Sequence, residues 1–247
     1  MSSGDPISVE IRPDGVAQIT LTRAEAANSR NQAMREALLD AYAELGRDDG
    51  VRCVVLTGAG SRHFCAGMDL KEAGASEPIL ARRERLVSSR DIEVLAHLPV
   101  PTIAMINGVA LGGGLEMALA CDLRYMAVET EVGLPELLHG LVPAGGATRR
   151  LPSLVGRAKA FELIYLGTRL TGSEAESAGL VNKAVPLTEL AALVQSVATS
   201  IASLDWHALR AAKRLIGPET VPGHTSDLEL DALLMLMAQR SDASDSE

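Results

Sequence analysis

The sequence predicts an α/β fold, and three observations lead there. Short β-type runs alternate with runs of helical period up to about Val128. The apolar stretch Pro99 to Cys121 is cut by prolines and glycines, so it reads as strand, turn and buried helix and not as a membrane span. Beyond Leu151 the pattern becomes mostly helical, so an α/β core over residues 1–190 is expected to be followed by a helical C-terminal region over 191–247. A chain of 247 residues can bury a substantial core, and with 47% apolar but only 2% aromatic residues that core must be aliphatic.

Taken in order, Ile7, Val9 and Ile11 alternate with polar residues, Pro13-Asp14-Gly15 turns the chain, and Val16 to Leu21 returns as the second strand of a hairpin. Asn31 to Leu45 carries apolar residues at Met34, Leu38, Tyr42 and Leu45, a helical period. Val51 to Leu56 reads as a buried strand. A polar loop then leads to Phe64-Cys65-Ala66-Gly67-Met68-Asp69-Leu70-Lys71, with Met68 and Asp69 expected to be exposed. Pro78 to Leu98 is helical in pattern, with Leu86, Ile92, Leu95 and Leu98 facing inward. Thr102 to Ile106 is a short buried strand, Asn107-Gly108 a turn, and Gly112-Gly113-Gly114 the opening of a buried helix. Leu123 to Val128 is another strand, Gly133 to Gly146 an ordered loop with one helical turn, and Leu180 to Val185 a late strand. Helices are expected at Gly156–Leu166, Ser173–Ala178, Thr188–Ser203, Asp205–Ile216 and Asp227–Arg240, with the final SDASDSE frayed.

Charge and cysteine content narrow the function. A net charge of −9 argues against nucleic acid or an anionic membrane surface as partner. The basic run Arg82, Arg83, Arg85 reads as a solvated helix face. Cys53, Cys65 and Cys121 have no C-x-x-C spacing, and the five histidines form no H-x-x-x-H pair, so neither a disulfide framework nor a metal site is expected. The N-terminus has no basic n-region followed by an apolar h-region, so the expected compartment is a reducing cytoplasm.

Chemistry concentrates at three glycine-marked places. A helix start leaves its first N–H groups unpartnered, so Gly112 to Gly114 offers a seat for an anion or a developing oxyanion. Ala66-Gly67 before Met68 offers backbone N–H groups in the same way. Glu116 sits in an otherwise apolar helix, where an unpaired carboxylate is costly or takes a raised pKa, and Glu136 follows a proline at the start of a helical turn. The plainer readings are a close-packing glycine triplet and a buried glutamate satisfied by a neighbouring donor. Backbone donors with two carboxylates suit enolate chemistry: N–H groups hold charge gathering on a thioester oxygen while carboxylates move protons or orient a water.

Five segments in order, LTRAEAANSRN, VVLTGAGSRHFCAGMDLKE, PTIAMINGVALGGGLEMALACDLR, VGLPELLHGLVPAGGATRRLPSLVGRAKAFEL and LTGSEAESAGLVNKAVP, resemble the enoyl-CoA hydratase/isomerase family, the crotonase superfamily. The resemblance implies a spiral of ββα units, a homotrimer or dimer of trimers, and an acyl-CoA thioester as substrate, with coenzyme A entering as part of it and no other cofactor. The family's oxyanion-hole donors fall on the N–H groups of Met68 and Gly113, and its two hydratase glutamates on Glu116 and Glu136, twenty residues apart. By the same resemblance Glu136 handles the proton at Cα and Glu116 activates the water added at Cβ, giving a 3-hydroxyacyl-CoA. Ala66, Gly67, Asp69, Leu70, Lys71 and Gly112 are the matching substrate-binding positions, and the backbone from Asn28 to Arg30 lies toward the adenine and pantetheine. Asp122 is expected to be a cap or salt-bridge partner. The acyl-pocket wall is expected from the segment around Gly74 to Val94 and from the C-terminal helices.

Three positions depart from the family pattern. Ser29-Arg30 replaces a small-then-aliphatic pair, which bears on how the adenine end is held, and Ala144 stands where glycine is common, narrowing the space near Glu136. The sequence stops at Glu247, where such relatives usually continue with a basic, aromatic-containing helix, so closure of the CoA site and trimer packing are expected to change. Isomerisation of a double bond or another acyl-CoA reaction of the family, and acyl-CoA binding without turnover, are the alternatives that the same residues admit.

Overall fold

The computed structural model describes residues 4–73 and 90–216. The first part of the helix expected at Pro78–Leu98, the Arg82, Arg83, Arg85 run, most of the expected pocket wall, the helix at Asp227–Arg240 and the terminal SDASDSE lie outside the described residues.

The hairpin forms as the alternation predicts: β1 (Ile7–Ile11) pairs antiparallel with β2 (Val16–Leu21), with Ile7 opposite Leu21. β2 then begins a parallel array with β3 (Cys53–Gly58), β5 (Thr102–Ile106), β7 (Leu123–Ala127) and β10 (Lys183–Val185), so the six-stranded sheet runs β1-β2-β3-β5-β7-β10. β3 is buried along its whole length, as a central parallel strand covered on both faces must be.

A second sheet of three-residue strands, β4 (His63–Cys65), β6 (Val109–Leu111), β8 (Glu131–Gly133) and β9 (Arg169–Thr171), was not expected from the sequence. Three residues give too little alternation to mark a strand, and these lie in stretches that read as loop or turn. Their place in the chain explains the architecture. β3 and β4, β5 and β6, and β7 and β8 are consecutive pairs that divide between the two sheets before a helix returns the chain. That is the ββα spiral.

Among the described residues the helices are α1 (Gln32–Leu45), α2 (Leu70–Ala73), α3 (Asp91–Ala96), α4 (Gly113–Ala120), α5 (Ala147–Val155), α6 (Arg157–Leu166), α7 (Gly172–Ser177), α8 (Leu187–Ala202) and α9 (Trp206–Ile216). Asn31 caps α1 by accepting from the Met34 N–H at 3.0 Å, and Thr171 with Glu174 closes a capping box on α7. The structure adds α5, which runs through Pro152 between the loop expected to end at Gly146 and the helix expected from Gly156.

The core is aliphatic, as the composition requires. Leu38, Leu56, Leu95, Ile106, Leu115 and Met117 are buried in one cluster between the six-stranded sheet and helices α1, α3 and α4. On the other face Leu190, Val194, Ala198 and Ala202 of α8 cover Val16, Cys53, Val55 and Ile103. Each large aliphatic side chain buried in this way contributes about 1.5–3 kcal/mol. Residue 190, the expected boundary between core and C-terminal region, lies inside α8, which is part of this packing.

Two polar links hold the loops that carry the site. Asn107 donates to the Gly58 and Gly60 carbonyls, both at 2.7 Å, and accepts from the Gly58 N–H and the Thr57 hydroxyl. Asn28, in the left-handed region at φ 52°, donates to the Ala59 and His63 carbonyls. Both side chains tie down the turn between β3 and β4 by hydrogen bonds to its backbone.

Candidate active site

The three glycines at the start of α4 are not interchangeable. Gly112 has φ +52°, and a Cβ there would stand 3.0 Å from Glu136 Oε1. A Cβ on Gly114 would lie 2.0 Å from the Cys65 carbonyl oxygen, because α4 starts hard against the end of β4. Gly113 stands between them with its N–H pointing out of the helix start.

Opposite it, the chain after β4 turns through Gly67, φ +96°, and Arg30 makes a one-residue parallel bridge with Met68. In that bridge the Arg30 N–H donates to the Gly67 carbonyl at 2.7 Å and the Asp69 N–H to the Arg30 carbonyl at 3.1 Å. Among the described residues, neither the Met68 nor the Gly113 N–H has an acceptor. The two turns face each other closely: a Cβ on Gly67 would come within 3.3 Å of the Gly113 nitrogen, and one on Gly113 within 3.8 Å of the Met68 nitrogen. Any side chain at position 67 would therefore plug the gap between two free donors.

The glutamates flank this gap. Glu116, in the first turn of α4, is 4% exposed, and its Oε1 accepts from the Gly145 N–H at 2.7 Å and the Ala147 N–H at 3.1 Å. These donors belong to the start of α5, so that helix fixes one carboxylate oxygen and leaves the other directed elsewhere. Burial pushes the Glu116 pKa up, and the two N–H donors, Arg30 and Arg150 only partly offset it. Glu136 opens the 3₁₀ turn Glu136–His139 behind Pro135. Its Oε2 is buried without a hydrogen-bond partner among the described residues. Its pKa is also raised, by burial first and then by the like charge of Glu116, against a backbone hydrogen bond that lowers it. Two carboxyl groups that feel each other beside two free N–H donors can hold a water, trade a proton and stabilise an oxyanion in one place.

The other expected site positions divide. Gly67 and Gly112 lie in the gap, and Ala66 is tied beside it through its N–H to the Ala27 carbonyl. Met68 is exposed as expected, at 39%, but Asp69 is not: it is buried, held by Arg23 Nη2 at 2.9 Å and Ser29 Oγ at 3.3 Å. Its carboxyl stays below the usual aspartate range, because those donors and the Lys71 N–H outweigh its burial. Its carboxylate clamps the loop from within. Leu70 begins α2, and Lys71 is exposed on it. Asp122 behaves as expected, capping Thr102 and pairing with Lys213.

Four positions escaped the sequence reading or were read differently. Gly145 and Ala147 supply the donors to Glu116, and the only signal was the Gly145-Gly146 pair before ATRRL. Ala144, expected to crowd Glu136, is exposed; the glycine that matters is Gly145, where a Cβ would lie 2.6 Å from Glu116 Oε2. Arg30, expected to bear on the adenine end, turns its side chain inward to Asp91.

Comparison with known proteins points to one family. A family model described as enoyl-CoA hydratase/isomerase matches residues 12–244. YngF of Bacillus subtilis (strain 168), a relative carrying that same family name, is 41% identical over 215 residues, covering 85% of this chain and 81% of its own. The short-chain-enoyl-CoA hydratase of Clostridium acetobutylicum is 35% identical over 201 residues, 81% of this chain and 77% of that protein. Among solved structures, an enoyl-CoA hydratase from Bacillus anthracis superposes with a TM-score of 0.89 at 39% identity, over 94% of this chain and 91% of that one.

Proposed function

We propose that this chain, which belongs to the enoyl-CoA hydratase/isomerase family, adds water across the double bond of a 2-enoyl-CoA thioester to give a 3-hydroxyacyl-CoA. One observation carries the reading: two carboxyl groups with raised pKa values, one pinned by backbone donors and one with an unpartnered oxygen, stand beside the unpaired N–H groups of Met68 and Gly113. A group that only binds acyl-CoA needs the donors and has no use for paired acids. The thioester oxygen would sit against the Met68 and Gly113 N–H groups. Glu116, one oxygen fixed by Gly145 and Ala147, would take a proton from the water that attacks Cβ. The electron pair of the double bond moves toward the thioester oxygen, and Glu136 returns a proton to Cα. Coenzyme A is part of the substrate, and the scheme calls for no further cofactor or metal.

The test is loss of enoyl-thioester absorbance with crotonyl-CoA and a longer homologue. Glu136→Gln and Glu116→Gln are each expected to lower turnover by about 10²–10⁴ with the fold intact, the range for a positioned acid–base group. Unchanged turnover in both overturns the assignment. Double-bond isomerisation is the second reading, favoured by the unpartnered Oε2 of Glu136, which could shuttle a proton alone. Isomerisation that survives in Glu116→Gln while hydration is lost identifies it.

We further propose a homotrimer or dimer of trimers working in a reducing cytoplasm. Leu138, Leu141, Val142, Phe161, Tyr165 and Leu166 are exposed on the 3₁₀ turn, the loop after it and α6, an apolar patch beside Glu136 that a second copy would cover. Cys53, Cys65 and Cys121 are all buried free thiols, and burial raises each of them, to about 12, about 11 and about 12, consistent with inert packing groups.

A further inference from the structure

Arg30 is a charged residue at a position where the family pattern has an aliphatic one, and it is 8% exposed. Its Nε donates to Asp91 Oδ2 at 3.1 Å and its Nη2 pairs with Asp91 Oδ1, so one edge of the guanidinium is taken. Nη1 carries no hydrogen bond to a described residue. It lies 2.8 Å from the point where a Cβ would stand on Gly113, and the Met68 nitrogen lies 3.8 Å from that same point. The Gly113 nitrogen is roughly 2.5 Å from it by standard backbone geometry. Nη1 and the Met68 nitrogen therefore both lie close beside Gly113 at the start of α4.

We infer that Arg30 supplies a third, cationic donor to the oxyanion gap, so that the thioester oxygen is held by two backbone N–H groups and a guanidinium. This inference rests on the acyl-CoA reading above and deepens it. A hydrogen bond from a charged donor is shorter and about twice as strong as one from a neutral amide, and its advantage grows as negative charge collects on the acceptor. The site is thereby suited to a discrete enolate as well as to a polarised carbonyl. Asp91, itself buried on α3, sets the guanidinium plane, which keeps Nη1 aimed without rearrangement when charge develops. The backbone of Arg30 also forms the bridge that presents Met68, so one residue shapes two of the three donors.

The experiment uses acetoacetyl-CoA, whose bound enolate absorbs in the near ultraviolet, titrated with pH on the wild type and two variants. Arg30→Leu/Asp91→Leu removes the buried pair together, so no charge is left alone. Arg30→Gln keeps a donor for Asp91 and removes the positive charge, and serves should the pair variant not fold. The pH at which bound ligand enolises is expected to rise by about 1–2 units in both, with kcat on crotonyl-CoA falling about 10²–10³-fold and KM little changed. An enolisation pH that is the same in wild type and variants overturns the inference, as does the absence of bound enolate in wild type at any pH. If crotonyl-CoA is not hydrated by wild type but the enolisation shift is present, the hydratase reading fails and the place of Arg30 stands. Hydration with no shift retains the hydratase and removes Arg30.

Discussion

At Glu136 a buried carboxylate oxygen has no partner among the described residues, which fits the proton transfer proposed for it. Its folded pKa is raised by burial and by Glu116, so the favourable state of the fold is the protonated one. A raised folded pKa means that stability is complete below the unfolded value and is lost as pH rises through the folded one. Glu136→Gln, neutral at every pH, is therefore expected to melt above wild type at pH 7, with the difference vanishing near pH 4. Calorimetry across that range checks it, and an unchanged or opposite difference at pH 7 would mean the carboxylate is not strained. The nearby glycines show the complementary constraint. Gly114→Ala puts a methyl carbon 2.0 Å from the Cys65 carbonyl oxygen, where backbone and not a flexible side chain must move. Overpacking of this kind costs about 1–3 kcal/mol, and denaturant midpoints should fall accordingly.

Elements here act through their ends. α5 contributes to the proposed chemistry through the N–H groups at its start, which hold Glu116, while its Leu151 seals the core behind. α4 delivers Gly113 and Glu116 from a single turn, so donor and acid keep a fixed spacing. α9 is attached differently. None of its residues is fully buried; Lys213 reaches the Val100 carbonyl and Asp122 Oδ2, both at 2.7 Å, and Trp206 packs on the core between Arg52 and Arg210. Lys213→Met is expected to speed amide exchange across α9 several-fold while leaving the exchange of β3 and β5 unchanged, because only local opening is affected. Equal acceleration in both regions would show that α9 is integral to the global fold.

On the scale of the whole molecule, the two sheets divide the labour. The six-stranded sheet, covered on both faces, supplies rigidity; the short-stranded sheet brings β4, β6 and β8 side by side, so that the turns following them meet. Met68, Gly113 and Glu136 each follow one of those strands. The exposed apolar patch at Leu138 and Val142 is the surface on which the proposed second copy would sit. Leu138→Asp/Val142→Asp is expected to lower the sedimenting mass toward that of one chain of 26.0 kDa, and an unchanged mass would place the interface elsewhere.

Much of this was legible in the residues. Alternation marked the hairpin, aliphatic runs marked β3 and β5, and Asn31 before an apolar period marked α1, because in each case the local pattern and the tertiary environment ask for the same side chains. Glycine before Met68 and Gly113, and glutamates in apolar or turn settings, marked the proposed donors and acids. The second sheet was not legible, since three residues are too few to show a period. The pairing of Glu116 with the start of α5 was hidden too, because a backbone N–H leaves no signature in the side chain that carries it. The sequence by itself determined which groups are available: two carboxylates, glycine-marked amides and an arginine where the family pattern is aliphatic. Only the tertiary structure decided that they converge, because convergence depends on strands from three separate repeats lying side by side, and local propensity carries no information about distances between repeats.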